Sequence, residues 1–170
     1  MNLHMTSKRH KVFNLFIILI PWVSVVFLGK HSLKRYSVSS VLIGLFEILN
    51  HWYGHKRKWW EFYDKPKSFL RDEVPFDIGP YIPLSMWILK FSYGNFKKFV
   101  VLNVLANGIF AFLFMPFLKK IKILRLTRLN YLQFLIYIHY KAYLLYGVQY
   151  LIEKFNGDPV PNTQDGDGLY

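Results

Sequence analysis

Glu47, Asn50, His51 and His55 stand close together in a stretch otherwise dominated by aliphatic and aromatic residues. At 100° per residue, Ser40, Gly44, Glu47, Asn50, His51 and Gly54 share one side of a helix, and Leu42, Leu45, Phe46, Leu49, Trp52 and Tyr53 share the other. One side seeks protein or water and the other seeks lipid. The same separation gathers Asn103, Ala106, Asn107 and Ala111 on one later helix, and Gln133, Tyr137, Tyr140 and Lys141 on another. Glu47, Asn107 and Lys141 all fall near the middle of their apolar segments. A lone charge at such a depth costs at least ~2.5–3.5 kcal/mol even on the permissive insertion scale, so a shared pairing layer is expected. That layer is Glu47 with Lys141, supported by Asn50, His51 and Asn107. Two roles fit it. It glues helices together, or it forms a proton or ion pathway or a small-ligand site.

Other chemistries find less support. Glu47, His51 and His55 at i, i+4 and i+8 stack along one helix face, but no HExxH or ExxH pair accompanies them, so no metal or cofactor is expected. Asp165-Gly166-Asp167-Gly168 lacks the remaining ligand positions of a calcium loop. Phosphate-cradling glycine loops, GxSxG elbows and paired catalytic carboxylates are absent, and the chain has no cysteine, which removes disulfides, thiolate metal sites and catalytic thiols together. The chain does not read as an enzyme. For a membrane enzyme acting on lipid, His51, Glu47 and Asp77 would be the available acid-base groups.

The elements that must position these residues are long apolar blocks joined by charged connectors. The 170 residues are 53% hydrophobic and 19% aromatic, and a mean hydropathy of only +0.18 averages the blocks with the connectors. A formal charge of +12 resembles a nucleic-acid binder's, but the cations cluster at the ends of apolar blocks, where they meet anionic lipid headgroups; no nucleic-acid partner is expected. Five spans are predicted. The first, 12–29, is an 18-residue run without a charge and with no cleavage-like site after it, so it reads as an uncleaved anchor. The second, 36–55, carries the Glu47 cluster. The third runs from about 78 to 94 with Pro80 and Pro83 disturbing its first turns, the fourth is the uncharged 99–118, and the fifth is roughly 129–152. The basic stretch 119–128 reads as an interfacial helix or a tight connector. Residues 1–155 form one transmembrane helical domain and 156–170 a disordered polar tail.

Orientation follows from the cations. With the N-terminus cytoplasmic, fourteen Lys and Arg lie inside (8–11, 56–71 and 119–128) and six outside, with Lys90 and Lys141 within spans. The positive-inside rule then gives N-in, C-out. A four-span alternative, with the second or third segment re-entrant or interfacial, returns the C-terminus to the cytoplasm. The fold class is thus all-α, a polytopic membrane protein with short basic, aromatic loops.

Three stretches, 56–63 (KRKWWEFY), 74–80 (VPFDIGP) and 93–98 (YGNFKK), together resemble a family of uncharacterised small multi-pass membrane proteins of endospore-forming Gram-positive bacteria. The likeness covers about residues 12–150. It implies the bacterial cytoplasmic membrane and lends no activity, ligand or site residue. The expected function is that of a non-enzymatic integral membrane protein acting by association with lipid, itself as a homo-oligomer, or a partner membrane protein. The alternative is a small transporter or channel subunit using the Glu/Lys/His/Asn layer.

Overall fold

The computed structural model describes residues 8–63 and 68–157. Among the described residues the regular structure is helical, apart from one two-stranded ribbon. Helix α1 (Lys8–Val25) runs through Pro21 and tightens into a 3₁₀ turn, Val26–Leu28. The chain reverses at Gly29, whose φ of 83° suits glycine, directly into α2 (Lys30–Arg57). Strand β1 (Trp60–Phe62) follows, then the short α3 (Phe69–Asp72) and α4 (Val74–Phe76), a π-helical turn at Asp77–Tyr81, and α5 (Ile82–Ser92). Helix α6 (Phe96–Ile109) passes through a second π-turn, Phe110–Phe114, into α7 (Met115–Lys120). Strand β2 (Leu124–Leu126) leads to α8 (Tyr131–Asn156), whose start is fixed by a capping box between Asn130 and Gln133.

Among the described residues, two helical stretches, Lys8–Leu28 and Phe96–Lys120, are long and apolar enough to cross a membrane. Several expected boundaries differ. Lys30, Lys34 and Arg35, read as a connector, lie inside α2, so the turn between the first two helices shrinks to Gly29. Of the two readings of 119–128, the structure has the connector rather than an interfacial helix: between α7 and α8, Leu124, Arg125 and Leu126 alternate inward and outward and pair antiparallel with Phe62, Glu61 and Trp60. Arg125 Nη2 donates to Glu61 Oε2 at 2.6 Å across the ribbon. The Asp165–Gly168 motif, and the expected tail beyond Gly157, lie outside the described residues.

Both π-turns stand just ahead of a proline, Pro83 and Pro116, which removes a backbone donor and leaves a carbonyl to be satisfied elsewhere. For the first, the donor comes from α1: Trp22 Nε1 bonds the Ile78 carbonyl at 2.9 Å. Gly79 lets α1 come this close, since a Cβ there would sit 2.5 Å from the Ile17 carbonyl oxygen.

Two buried clusters form the core. One gathers Leu28, Tyr36, Ile43, Leu89, Phe99 and Tyr146, and the other Trp60, Phe62, Phe76, Met115, Leu118 and Phe134. Glu47 of α2 and Lys141 of α8 fall between them. Gly54 admits the Trp60 ring, which would lie 2.2 Å from an added Cβ. Gly79→Ala is expected to lower stability by about 1–3 kcal/mol, because the atom in the way is backbone and cannot rotate aside. Gly108→Ala, with nothing within 4 Å of the added carbon, is expected to leave stability unchanged or raise it slightly. Thermal unfolding in detergent reads the contrast; equal midpoints for the two variants would refute the close α1 contact.

Candidate functional site: a buried charge cluster beside an apolar cavity

Helix α2 buries Tyr36, Ser39, Ser40, Ile43, Gly44 and Glu47, a stripe at helical spacing, while Leu42, Leu45, Leu49 and Trp52 point outward. Helix α8 turns Phe134, Lys141, Leu145, Gln149 and Glu153 inward in the same manner. The two stripes meet. The Lys141 ammonium is fully buried and donates to Glu47 Oε1. It also lies 4.1 Å from the centre of the Tyr137 ring.

One turn on from Glu47, His51 sits between two carboxylates. Its Nε2 is 3.2 Å from Glu47 Oε1, and its Nδ1 is 2.5 Å from Asp77 Oδ1. Asp77 opens the first π-turn and is 0% exposed. The His51 ring packs edge-on against Trp60, with centroids 5.2 Å apart. Beyond it, His55 Nδ1 meets Glu73 Oε1 at 2.5 Å. Burial pushes the Glu73 carboxyl above its ordinary range, and the bond to His55 pulls part of the way back.

The five expected layer residues divide. Glu47, His51 and Lys141 come together. Asn50 stands apart, donating to the Phe46 carbonyl and accepting from the Tyr140 hydroxyl at 2.9 Å. Asn107 links α6 to α8 through His139 Nδ1 at 3.2 Å instead. Asp77 is the member the sequence left out of the layer. A second buried network was missed entirely: Glu153 accepts from Arg35 at 2.6 Å and from Gln149 at 2.9 Å, and Ser39 donates to Gln149 at 2.6 Å. The sequence signal for it was the run Lys141, Leu145, Gln149, Glu153 at four-residue spacing on one face.

A cavity of about 640 Å³ opens beside the cluster, bounded by α1, the α5 segment, α6 and α8. Its walls are apolar, with Phe13, Ile17, Leu84, Phe110 and Ile138 among them, while Glu47, His51 and Asp77 reach it from α2 and the π-turn. Ala106 and Asn107 of α6 line it too. Two carboxylates face one ammonium here. The His51 ring stands between the two carboxylates, at the edge of an apolar space.

Comparison with protein-family models, with curated proteins and with solved structures gave no match for the chain.

Replacing Lys141 by Met strands Glu47 in the interior, and a broken buried pair costs about 3–5 kcal/mol. Lys141→Met is therefore expected to lose most of its folded yield in detergent, and adding Glu47→Gln is expected to restore much of it. A double variant no more stable than the single one would show that the two side chains do not act as a pair. Glu73 supplies a pH test. Its raised folded-state value makes its favourable contribution complete below the ordinary Glu range and lost as pH rises through the folded-state value. Glu73→Gln is expected to flatten that loss, read as the thermal midpoint against pH.

Proposed function

We propose that this chain is an integral membrane protein that crosses the bilayer five times with its N-terminus inside, and that it holds an amphipathic lipid in the cavity between α1 and α6. It acts by association rather than by catalysis. The observation that carries the reading is the cavity itself: its walls are mostly apolar, and its charged lining comes from Glu47, His51, Glu73 and Asp77. Its volume, about 640 Å³, lies within the range of small-molecule sites.

The membrane assignment is supported by what faces outward. Only 6% of the apolar window in Lys8–Leu28 and 22% of that in Phe96–Lys120 is buried, whereas the core helix of a soluble protein buries most of its apolar length. Leu42, Leu45 and Leu49 on α2 and Leu132 and Ile136 on α8 are likewise exposed, and the polar residues between them turn inward.

Five crossings are supported by the company each helix end keeps. At one end, His10 contacts Phe62, Ser68 holds Asp72, and β1 pairs with β2. At the other, Lys90 donates to the Leu28 carbonyl, Arg35 pairs with Glu153, and Tyr93 packs on both Tyr36 and Tyr146. The first end carries most of the cations and is the cytoplasmic one by the positive-inside rule. The resemblance noted above adds a bacterial cytoplasmic membrane. Exposed Lys56 over Trp52 at 3.5 Å and Arg57 over Tyr53 at 5.2 Å suit an anionic headgroup layer.

Native mass spectrometry of the gently solubilised protein is expected to find about one retained lipid per chain. Ala106→Trp fills the cavity and is expected to release it, while Leu105→Trp, on the exposed face of the same helix, is expected to retain it. Equal retention in the two variants, or none in the wild type, would overturn the lipid reading. Proton flux in liposomes with no retained lipid would favour instead a small transporter subunit built on the charge cluster.

A further inference from the structure

The geometry points to a divalent metal site at Glu47, His51 and Asp77, a mixed imidazole and carboxylate set suited to Mn²⁺, Fe²⁺ or Zn²⁺. One donor atom from each residue can be chosen so that all three lie within 4.8 Å of one another. Two donors come from adjacent turns of α2 and the third from the π-turn, an irregularity that recurs at functional sites.

The stronger sign is what these atoms lack. Asp77 is fully buried, yet its Oδ2 has no hydrogen-bond partner, and Glu47 Oε2 has none either. Asp77 Oδ1 has the His51 Nδ1 ion pair at 2.5 Å, which holds the imidazole and the carboxylate side by side. Buried acceptors left without a partner cost about 1–3 kcal/mol each, more for charged groups. A cation among them satisfies several at once.

Neighbouring groups leave room for it. Lys141 takes Glu47 Oε1 and is held over the Tyr137 ring, so the other oxygen of Glu47 is free. Glu73 is engaged by His55. Trp60 packs against the His51 ring and fixes its direction. A bound divalent ion would stand against two carboxylates, with the imidazole as a neutral nitrogen donor. The donor set contains one imidazole and no thiolate, which selects ions of intermediate character over Cu⁺. All three residues reach the cavity, so a coordination position stays open to an exchangeable ligand. The site stands whether or not lipid fills the rest of the cavity.

Purified protein stripped with a chelator and titrated with Co²⁺ alone is expected to bind about one ion per chain, with the visible absorption of a low-symmetry site. Mn²⁺ bound in its place is expected to show electron-spin-echo modulation from one histidine nitrogen. Asp77→Asn and His51→Gln are each expected to weaken Co²⁺ binding by at least about tenfold. His55→Gln, whose ring belongs to Glu73, is expected to leave it unchanged. Wild-type protein that binds neither ion, bound Mn²⁺ without histidine coupling, or full affinity in both ligand variants would overturn the site. The spin-echo measurement needs no variant, so misfolding of one does not protect the proposal.

Discussion

The contact between Lys141 and Glu47 is the constraint around which the rest of the molecule is arranged. Neither charge survives alone among apolar side chains, and each helix carries its charge at the one height where the other can reach it. This fixes the register of α2 against α8. With that register set, Tyr140 falls on Asn50 farther out, and Ser39 falls on Gln149 two turns away. The apolar clusters on either side are non-directional and would tolerate sliding. The ion pair does not, so a few polar contacts specify an arrangement that hydrophobic burial only stabilises.

A pairing at mid-helix needs the helix ends held as well, and the chain holds them with unlike devices. At one end, a short antiparallel ribbon joins the segment after α2 to the segment after α7, with Arg125 and Glu61 across it. At the other, Arg35 reaches Glu153, which Gln149 also supports. Backbone pairing serves where polar connectors are solvated. Side-chain ionic bonds serve where two helices meet along their length. Exposed pairs such as Arg125 with Glu61 contribute little individually, so the ribbon's hold rests on its backbone bonds and on the buried Trp60 and Phe62 side chains.

How far the sequence reveals this depends on the kind of signal. Glu47 and Lys141 are legible because a charge inside an apolar run is rare and must be answered, and because helical periodicity states which face it occupies. Asn50 and Asn107 share those faces but bond elsewhere. A face is a broad sector, and a neutral amide finds partners on neighbouring residues that a charge would not accept. Arg35 looks like a topogenic cation, and its burial partner Glu153 is 118 residues away, beyond the reach of any local pattern. The ribbon was hidden because Leu124-Arg125-Leu126 is too short to outweigh the cations around it, although its alternation was there to be read.

Asp77 is the instructive failure. Its neighbours Pro75, Pro80 and Pro83 read as a disturbed entry to a helix, which suggests a solvated connector. The prolines act differently in the folded chain. Missing donors widen the helix into a π-turn, and that widening accompanies the inward direction of the Asp77 carboxylate, 2.5 Å from His51. An open backbone of this kind is unstable in apolar surroundings unless another element supplies the lost donors. Helix α1 does so through Trp22 on the Ile78 carbonyl, brought close by Gly79, and Asn14 caps the Arg71 carbonyl at 2.8 Å. Helix α1 therefore supplies more than an apolar surface. It completes the backbone that aims Asp77 into the cluster, and its Phe13 and Ile17 wall the cavity that the same cluster faces.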